Sequence, residues 1–179
     1  MPWRNGLGTT REIALGPGAA ADRFAWRVSI ATVERPCPFS PYPGYDRTIM
    51  VIEGAGMVLE IDDQAHRLER HFEPIIFAGE ATVACAPICG PIDDYNVMVD
   101  RRLFRATVSV ARLGSSSDTR APEGGTVLIT CLDGVVRVET ADVVLARRDT
   151  VIVKPPPAAL VLTASGGPAV AAVVAIRPR

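Results

Sequence analysis

The run Thr48-Ile49-Met50-Val51-Ile52-Glu53-Gly54 returns in outline later in the chain as Thr126-Val127-Leu128-Ile129-Thr130-Cys131-Leu132-Asp133-Gly134. Each run is rich in β-branched residues and ends in an acidic residue and a glycine, which is typical of a strand followed by a tight turn. A second short apolar segment follows each turn, at residues 56–61 and 135–140. These paired segments predict two copies of one β-structural unit.

Two further pairs of segments extend this internal repeat. The segment Ile75-Ile76-Phe77 parallels Val151-Ile152-Val153, and Asn96-Val97-Met98-Val99 parallels Ala172-Val173-Val174-Ala175. The offset is 80 residues between the two glycines (134 minus 54) and 76 in the last pair (173 minus 97). A repeat of this length predicts a duplicated barrel, because the units of a solenoid are shorter and more numerous.

The remaining sequence is also typical of β-structure, with short apolar runs separated by Gly, Pro and Asp turn signals. Predicted strands cover residues 26–33, 48–52, 56–61, 74–77, 82–87, 95–99, 106–113, 126–132, 135–140, 150–153, 160–163 and 170–176. We therefore predict an all-β fold of two fused jelly-roll barrels. The predicted lobes span residues 1–113 and 114–179, with a flexible connector at residues 114–118.

Composition excludes several classes of protein. The 179 residues are 48% hydrophobic and carry a formal net charge of −1, with both signs interspersed, so we expect no nucleic-acid partner. The longest apolar stretch, residues 169–176, is too short to span a bilayer, and the first residues lack an apolar signal segment. We therefore expect a cytoplasmic protein without membrane association, whose cysteines (Cys37, Cys85, Cys89 and Cys131) are reduced structural thiols.

Four ordered blocks in the first hundred residues resemble the signatures of one bacterial family. They are Pro2-Trp3-Arg4-Asn5-Gly6-Leu7-Gly8-Thr9-Thr10-Arg11-Glu12-Ile13, Trp26-Arg27-Val28-Ser29-Ile30-Ala31-Thr32-Val33, Pro38-Phe39-Ser40-Pro41-Tyr42-Pro43-Gly44-Tyr45-Asp46-Arg47 and Asp94-Tyr95-Asn96-Val97-Met98. On these blocks the chain is similar to the HutD/Ves family. The resemblance implies a bicupin fold, an association with histidine utilisation, and a small-ligand binding or regulatory role.

A metal centre is not indicated. Metal-binding cupins place two histidines one residue apart on a strand, because side chains at i and i+2 share a face. This chain has only His66 and His71, which would face opposite sides of a continuous strand. We expect ordinary surface or hydrogen-bonded histidines and neither metal nor cofactor, with a site of two histidines and one carboxylate as the alternative.

Arginine and hydroxyl side chains are the first candidates for a ligand site. Arg27 and Ser29 lie two residues apart on a predicted strand and therefore share one face, opposite Trp26 and Val28. A guanidinium matches a carboxylate through two parallel hydrogen bonds, and a neighbouring hydroxyl adds a third. The alternative is that Arg27 and Ser29 lie on a solvated face.

Arg47 and Asn96 are further candidates. Arg47 follows a turn and precedes a strand, so its side chain is expected at a barrel mouth, or in an ion pair with Asp46 or Glu53. Asn96 lies near the entrance of a strand, where its amide would orient a ligand or, like Asp94, stabilise a turn.

The polar, glycine-rich segment near the N-terminus predicts a loop that caps the barrel and presents backbone N–H groups to an anion. It contributes Trp3, Asn5, Thr9 and Glu12 to the predicted site. The complete set of candidate ligand-binding residues is Trp3, Asn5, Thr9, Glu12, Arg27, Ser29, Arg47 and Asn96. No Ser, His and Asp set can be assembled, so no catalytic residue is assigned.

Three functions remain open at this level. The first is a non-catalytic protein whose N-terminal barrel binds a small carboxylate metabolite of the urocanate or formylglutamate type through Arg27 and Arg47. The second is a metal-free isomerase or lyase that uses Glu12 as its base. The third is a structural or interaction protein with a plugged barrel, in which the apolar second lobe packs or forms a homodimer.

Overall fold

A computed structural model of the chain describes residues 8–18, 23–114, 117–119, 125–154 and 159–179. Over these residues the structure is strands and turns, with a single 3-10 turn at Glu139–Ala141, and the all-β prediction is confirmed. No described helix is both long enough and apolar enough to cross a bilayer. The chain divides into two compact units, Met1–Phe104 and Arg105–Arg179.

The first unit is built from two antiparallel sheets. Its strands are β1 (Gly8–Pro17), β2 (Phe24–Val33), β3 (Cys37–Pro38), β4 (Tyr45–Glu53), β5 (Met57–Ile61), β6 (Gln64–Leu68), β7 (Ile75–Ala78), β8 (Val83–Pro87) and β9 (Ile92–Asp100). One sheet has the order β1-β2-β9-β4-β7, and the other has the order β3-β8-β5-β6. Apolar side chains of the two sheets pack together, which is the arrangement of a jelly-roll barrel.

The second unit repeats this plan. Its strands are β10 (Phe104–Leu113), β11 (Ser117–Thr119), β12 (Thr126–Asp133), β13 (Val136–Val138), β14 (Val143–Leu145), β15 (Thr150–Val153), β16 (Leu160–Ala164) and β17 (Ala169–Pro178). The sheet orders β10-β17-β12-β15 and β11-β16-β13-β14 copy β2-β9-β4-β7 and β3-β8-β5-β6. Because β10 lies beside β17, the units divide after Phe104, whereas the predicted boundary was Leu113.

The acid–glycine turn of the repeat has the same structure in both units. A bulge interrupts the β4–β9 ladder just before Gly54, and another interrupts the β12–β17 ladder just before Gly134. Both glycines have positive φ, +94° at Gly54 and +69° at Gly134. A Cβ on either would lie 2.6 Å from a carbonyl oxygen, that of Pro91 or of Pro168. The turn therefore requires glycine for its backbone angle and for its close contact with the next strand.

The register of the last strand corrects one part of the predicted repeat. Ile49 lies opposite Asn96 in the first unit, and Ile129 lies opposite Val173 in the second. Asn96 therefore corresponds to Val173, and the predicted match with Ala172 is wrong by one residue. A shift of one residue exchanges the two faces of a strand. The sequence of β17 could not reveal this, because it is apolar on both faces.

The predicted N-terminal loop is wrong for the residues that the structure describes. Gly8 to Pro17 form strand β1, which pairs with β2 along its length, Thr9 opposite Thr32 and Glu12 opposite Ser29. The N–H groups of this extended edge strand alternate between the ladder with β2 and the open edge of the sheet, so they do not converge as an anion-binding loop requires. The prediction for residues 1–7 lies outside the described residues.

The glycine of the repeated turn provides a stability test. Gly134→Ala is expected to lower the free energy of unfolding by about 2–4 kcal/mol, because it adds a clash with the Pro168 carbonyl to the cost of positive φ. Gly90→Ala is the control, since Gly90 also has positive φ (+71°) but no neighbouring atom within 4 Å of the added methyl. Urea unfolding measures both variants, and equal losses would show that the close contact contributes nothing.

Candidate functional site

The interior of the first barrel is identified by its apolar cluster. Val33, Ile49 and Ile92, from three adjacent strands of the five-stranded sheet, pack with Met57 and Leu59 of the opposing sheet. Side chains alternate between the two faces of a strand, so every second residue from these positions also points inward. The inward set on β2, β4 and β9 is therefore decided by register alone.

This inward set includes five polar residues of β2, β4 and β9: Arg27, Ser29, Arg47, Asp94 and Asn96. Arg27 on β2 and Arg47 on β4 both lie directly opposite Met98 of β9, so the two arginines flank one central residue. One step along β9, Asn96 lies opposite Ser29 on one side and Ile49 on the other. A further step along, Asp94 lies opposite Ala31 and Val51.

The two guanidinium groups share an aromatic ring. The Cζ atoms of Arg27 and Arg47 lie 5.4 Å and 5.9 Å from the centroid of the Tyr42 ring. Further rings lie against one guanidinium each: Phe24 at 5.1 Å from Arg27, and Phe39 and Phe77 at 5.2 Å and 5.1 Å from Arg47. Aromatic faces stabilise cations away from water, so this ring cluster holds two like charges close together.

Four buried polar atoms on this face have hydrogen-bonding capacity that no described protein group uses. They are two donors, Arg27 Nε and Arg47 Nε, and two acceptors, Asp94 Oδ1 and Asn96 Oδ1. Asp94 is 1% exposed, Arg47 5% and Asn96 7%. Native proteins satisfy the great majority of such atoms, so a cluster of four is the signature of a polar site.

Burial dominates the electrostatics of the site. It lowers the pKa of Arg47 to about 10, an effect that the charge of Arg27 increases and that of Asp94 opposes. Burial also raises the pKa of Asp94 to about 7, with the charge of Arg47 opposing the shift and that of Asp93 adding to it. Arg47 is therefore cationic at neutral pH, whereas Asp94 changes its charge close to neutrality.

A second charged cluster lies at the end of β9, where the acidic group is fully paired although Arg23 Nε has no partner among the described groups. The Asp100 carboxylate accepts hydrogen bonds from Arg102 (2.8 Å) and Arg23 (3.2 Å). The hydrogen bond from the Arg102 side chain is the main reason that the pKa of Asp100 falls to about 2. Because its partners are its own neighbours in the fold, we assign this cluster a structural role.

The second barrel has the same strands without this polar set. Its register places Val127 at the position of Arg47, Ala171 at that of Asp94, Val173 at that of Asn96 and Ala175 at that of Met98. All four belong to the apolar cluster of the second unit. The fold therefore does not require buried arginine, aspartate or asparagine at these positions.

The structure brings four of the predicted site residues together: Arg27, Ser29, Arg47 and Asn96. The ion pair considered for Arg47 with Asp46 does not form, because Asp46 lies on the other face and pairs with Arg101 at 2.9 Å.

The other predicted site residues lie apart from this set or beyond the described residues. Glu12 lies opposite Ser29, but on edge strand β1 with an exposed side chain. Thr9 is exposed on the opposite face of the sheet, so its predicted place in the site is wrong. Trp3 and Asn5 lie outside the described residues.

Asp94, Met98 and Tyr42 also belong to this site, although none of them is among the residues predicted for it from sequence. The sequence predicts Asp94 at the entrance of a strand, where it could stabilise a turn, but it lies within β9, two residues before Asn96 and on the same face. Asp94, Asn96 and Met98 are alternate residues, so they share one face of a strand. This is evident from sequence only when the strand is taken to begin at Ile92 and not at Tyr95. No sequence signal connects Tyr42 with both arginines.

The histidines lie outside this site. His66 is on β6, and His71 follows the end of that strand and has its Nε2 2.7 Å from the carbonyl oxygen of Gly54. Across the described ranges, no group of three or more His, Cys, Asp or Glu side chains is placed to hold a metal ion.

Comparisons with known proteins concern almost the whole chain. The sequence model of the HutD family matches residues 1–171. An uncharacterized 21.2 kDa protein in the hutC 3' region of Pseudomonas putida is 40% identical over 123 residues, which are 66% of this chain and 65% of that protein. Protein Ves of Citrobacter koseri is 39% identical over 129 residues, 71% of this chain and 65% of that protein. The matched region spans slightly less than two thirds of the length of each of these curated relatives.

Solved structures also resemble this chain. HutD from Pseudomonas fluorescens SBW25, in a formate condition, superposes with a TM-score of 0.88 at 30% identity, covering 100% of this chain and 93% of that one. A cupin 2 conserved barrel domain protein from Leptotrichia buccalis has a TM-score of 0.62 at 10% identity, covering 95% of this chain and 89% of that one. The second likeness shows the cupin fold alone.

The raised pKa of Asp94 predicts a pH dependence of stability. An unfolded aspartate loses its proton near pH 3.8, whereas folded Asp94 keeps it to about pH 7, so stability is lost as the pH rises through this window. Asp94→Asn should remove that loss and raise the free energy of unfolding at pH 8 by on the order of 2 kcal/mol. Urea unfolding between pH 5 and pH 8 measures the difference.

Asp93→Asn is the matched control for this prediction. Asp93 lies on the opposite face and accepts a hydrogen bond from Thr32 at 2.6 Å, which an asparagine oxygen can still accept. Because burial is the main cause of the raised pKa of Asp94 and the charge of Asp93 is the smallest, this variant should keep most of the pH dependence of the wild type. If Asp94→Asn also kept it, Asp94 would have an ordinary pKa.

Proposed function

This chain belongs to the HutD family, and on that premise we propose that it is a non-catalytic protein that binds a small carboxylate metabolite inside its first barrel. The observation that supports this most directly is the pair of buried, unpartnered Nε donors on Arg27 and Arg47. Paired guanidinium donors match carboxylate oxygens in both charge and geometry.

The closeness of the two arginines favours an anion as the ligand. Arg27 and Arg47 lie against the same Tyr42 ring, and the charge of Arg27 lowers the pKa of Arg47. Two like charges in a poorly solvated setting repel each other. A carboxylate between them would replace this repulsion by attraction and would use donor atoms that no described protein group uses.

The internal repeat provides an independent argument. Buried charged groups are costly, and apolar residues of similar size usually stabilise a fold better. The second barrel uses Val127 and Ala171 where the first uses Arg47 and Asp94, and it forms the same sheets. The polar set of the first barrel is therefore best explained by a function other than folding.

Family and relatives support a narrower version of the proposal. We propose that the ligand is an intermediate of the urocanate or formylglutamate type and that binding serves the regulation of histidine utilisation. The name of the Pseudomonas putida relative places it in a hutC 3' region, which supports the connection to this pathway. We further propose a cytoplasmic location, where buried thiols such as Cys37 and Cys85 stay reduced. A homodimer formed through the second barrel stays a prediction.

A ligand-binding measurement tests the proposal. Urocanate or N-formylglutamate at about 100 times its Kd should stabilise the wild type by about 2.7 kcal/mol, which raises the Tm by roughly 5 °C or more. Arg27→Ala should weaken binding by about 30-fold or more, because it removes one partner of a charged hydrogen-bonded pair. Arg27→Lys, which keeps the charge but not the planar fork, should recover part of the affinity.

Arg70→Ala is the matched control. Its side chain is 84% exposed and forms a surface ion pair with Glu73 at 3.5 Å, so it removes the same charge away from the barrel interior. It should bind both compounds like the wild type in calorimetric titrations. Absence of binding by the wild type, or equal weakening in Arg27→Ala and Arg70→Ala, would contradict the proposal, and turnover of either compound would contradict its non-catalytic part.

A further inference from the structure

The inward face that carries Arg27, Arg47, Asp94 and Asn96, called the binding face below, offers hydrogen-bond acceptors as well as donors. Besides the two arginine Nε donors, it carries the buried oxygens Asp94 Oδ1 and Asn96 Oδ1, which no described protein donor satisfies. A simple carboxylate consists only of acceptor oxygens. It could satisfy Arg27 and Arg47, but it would leave both oxygens unpaired, and each such buried acceptor costs about 1–3 kcal/mol.

The arginine donors and the two acceptor oxygens lie at different positions along the direction of β9. Met98 lies between the two arginines. On the same face of β9, Asn96 is two residues from Met98 and Asp94 is four residues from it. Each two-residue repeat advances roughly 6.5 Å. Directly beside Asp94 on β2 is Ala31, whose methyl group is the smallest side chain opposite any of the three. The layout suits an elongated ligand with its acid near the arginines and its other end near Asp94.

From this layout we infer that Asp94 selects carboxylates that also carry an N–H donor at the end remote from the acid, with Asn96 as the second acceptor. The inference rests on the binding function proposed above and adds the chemical class of the ligand's other end. An N–H group placed at Asp94 donates a charge-assisted hydrogen bond, the stronger kind of hydrogen bond in proteins. A ligand without that donor forfeits this bond and leaves a carboxylate buried without a partner.

Two observations indicate that Asp94 serves recognition. The equivalent position of the second barrel is Ala171, so this strand position does not need a carboxyl group for folding. Burial of Asp94 also raises its pKa to about 7, which costs stability whenever the group is ionised. A residue that destabilises the free protein and shares an inward face with two buried arginines is typical of a binding site.

Two acids, of which only one carries a ring N–H donor, test the inference. Urocanate carries an acrylate and an imidazole N–H, whereas 3-(3-furyl)acrylate keeps the acrylate and a five-membered ring but has no N–H. Calorimetric titration of the wild type should give at least a roughly 10-fold lower Kd for urocanate. Asp94→Ala, which copies Ala171, should weaken urocanate binding by about 10-fold or more and change furylacrylate binding by less than about 3-fold.

Asp93→Ala is the charge-matched control, because it removes a carboxylate from the outer face of the same strand. It should preserve the preference for urocanate, and circular dichroism verifies that both variants are folded. Equal affinity of the wild type for the two acids, or equal weakening of both by Asp94→Ala, would overturn the inference while leaving the proposed carboxylate site intact. If the wild type binds neither acid, N-formylglutamate, which carries an amide N–H, takes the place of urocanate in the comparison of wild type with Asp94→Ala. Failure of all three compounds to bind would overturn the two proposals together.

Discussion

The two-residue alternation of β9 is the constraint on which the binding face depends. Ile92 lies in the apolar cluster of the first barrel, and this anchors the phase of the strand. Asp94, Asn96 and Met98 then point inward because side chains alternate strictly along a strand. The bulge before Gly54 absorbs the extra residue of β4, so that the register on the arginine side is kept. If the strand were shifted by a single residue, the polar set would lie on the outer face.

Comparison of the two units shows where the first one departs from the arrangement expected for stability. Both units form the same order of strands, and both use a positive-φ glycine after an acidic residue. The second unit fills its interior with Val127, Ala171 and Val173, which is the solution expected for stability alone. The first unit instead buries charges and leaves hydrogen-bonding atoms unused. Such departures from the most stable solution are concentrated at functional sites.

Local pattern predicted the strands best where turns and alternation were both strong. The segments leading to Gly54 and Gly134 were recognised because apolar runs and glycine turns are local signals. Strand β1 was missed, since its glycines, its proline and its charged residues have low strand propensity, which its two threonines do not offset, and it owes its conformation to pairing with β2. The register of β17 was missed for the opposite reason, because a strand that is apolar on both faces carries no alternation.

By itself the sequence determined the all-β class, the duplication and the shared face of Arg27 and Ser29, because these follow from patterns within a few residues of each other. Tertiary structure alone decided that Arg27 and Arg47 flank Met98, that Tyr42 contacts both, and that Asp94 belongs with them. Neighbours across a sheet are set by strand order and register, which join residues far apart in the chain. The pKa of a buried group, such as that of Asp94, likewise depends on the side chains packed around it, and no short stretch of sequence contains that information.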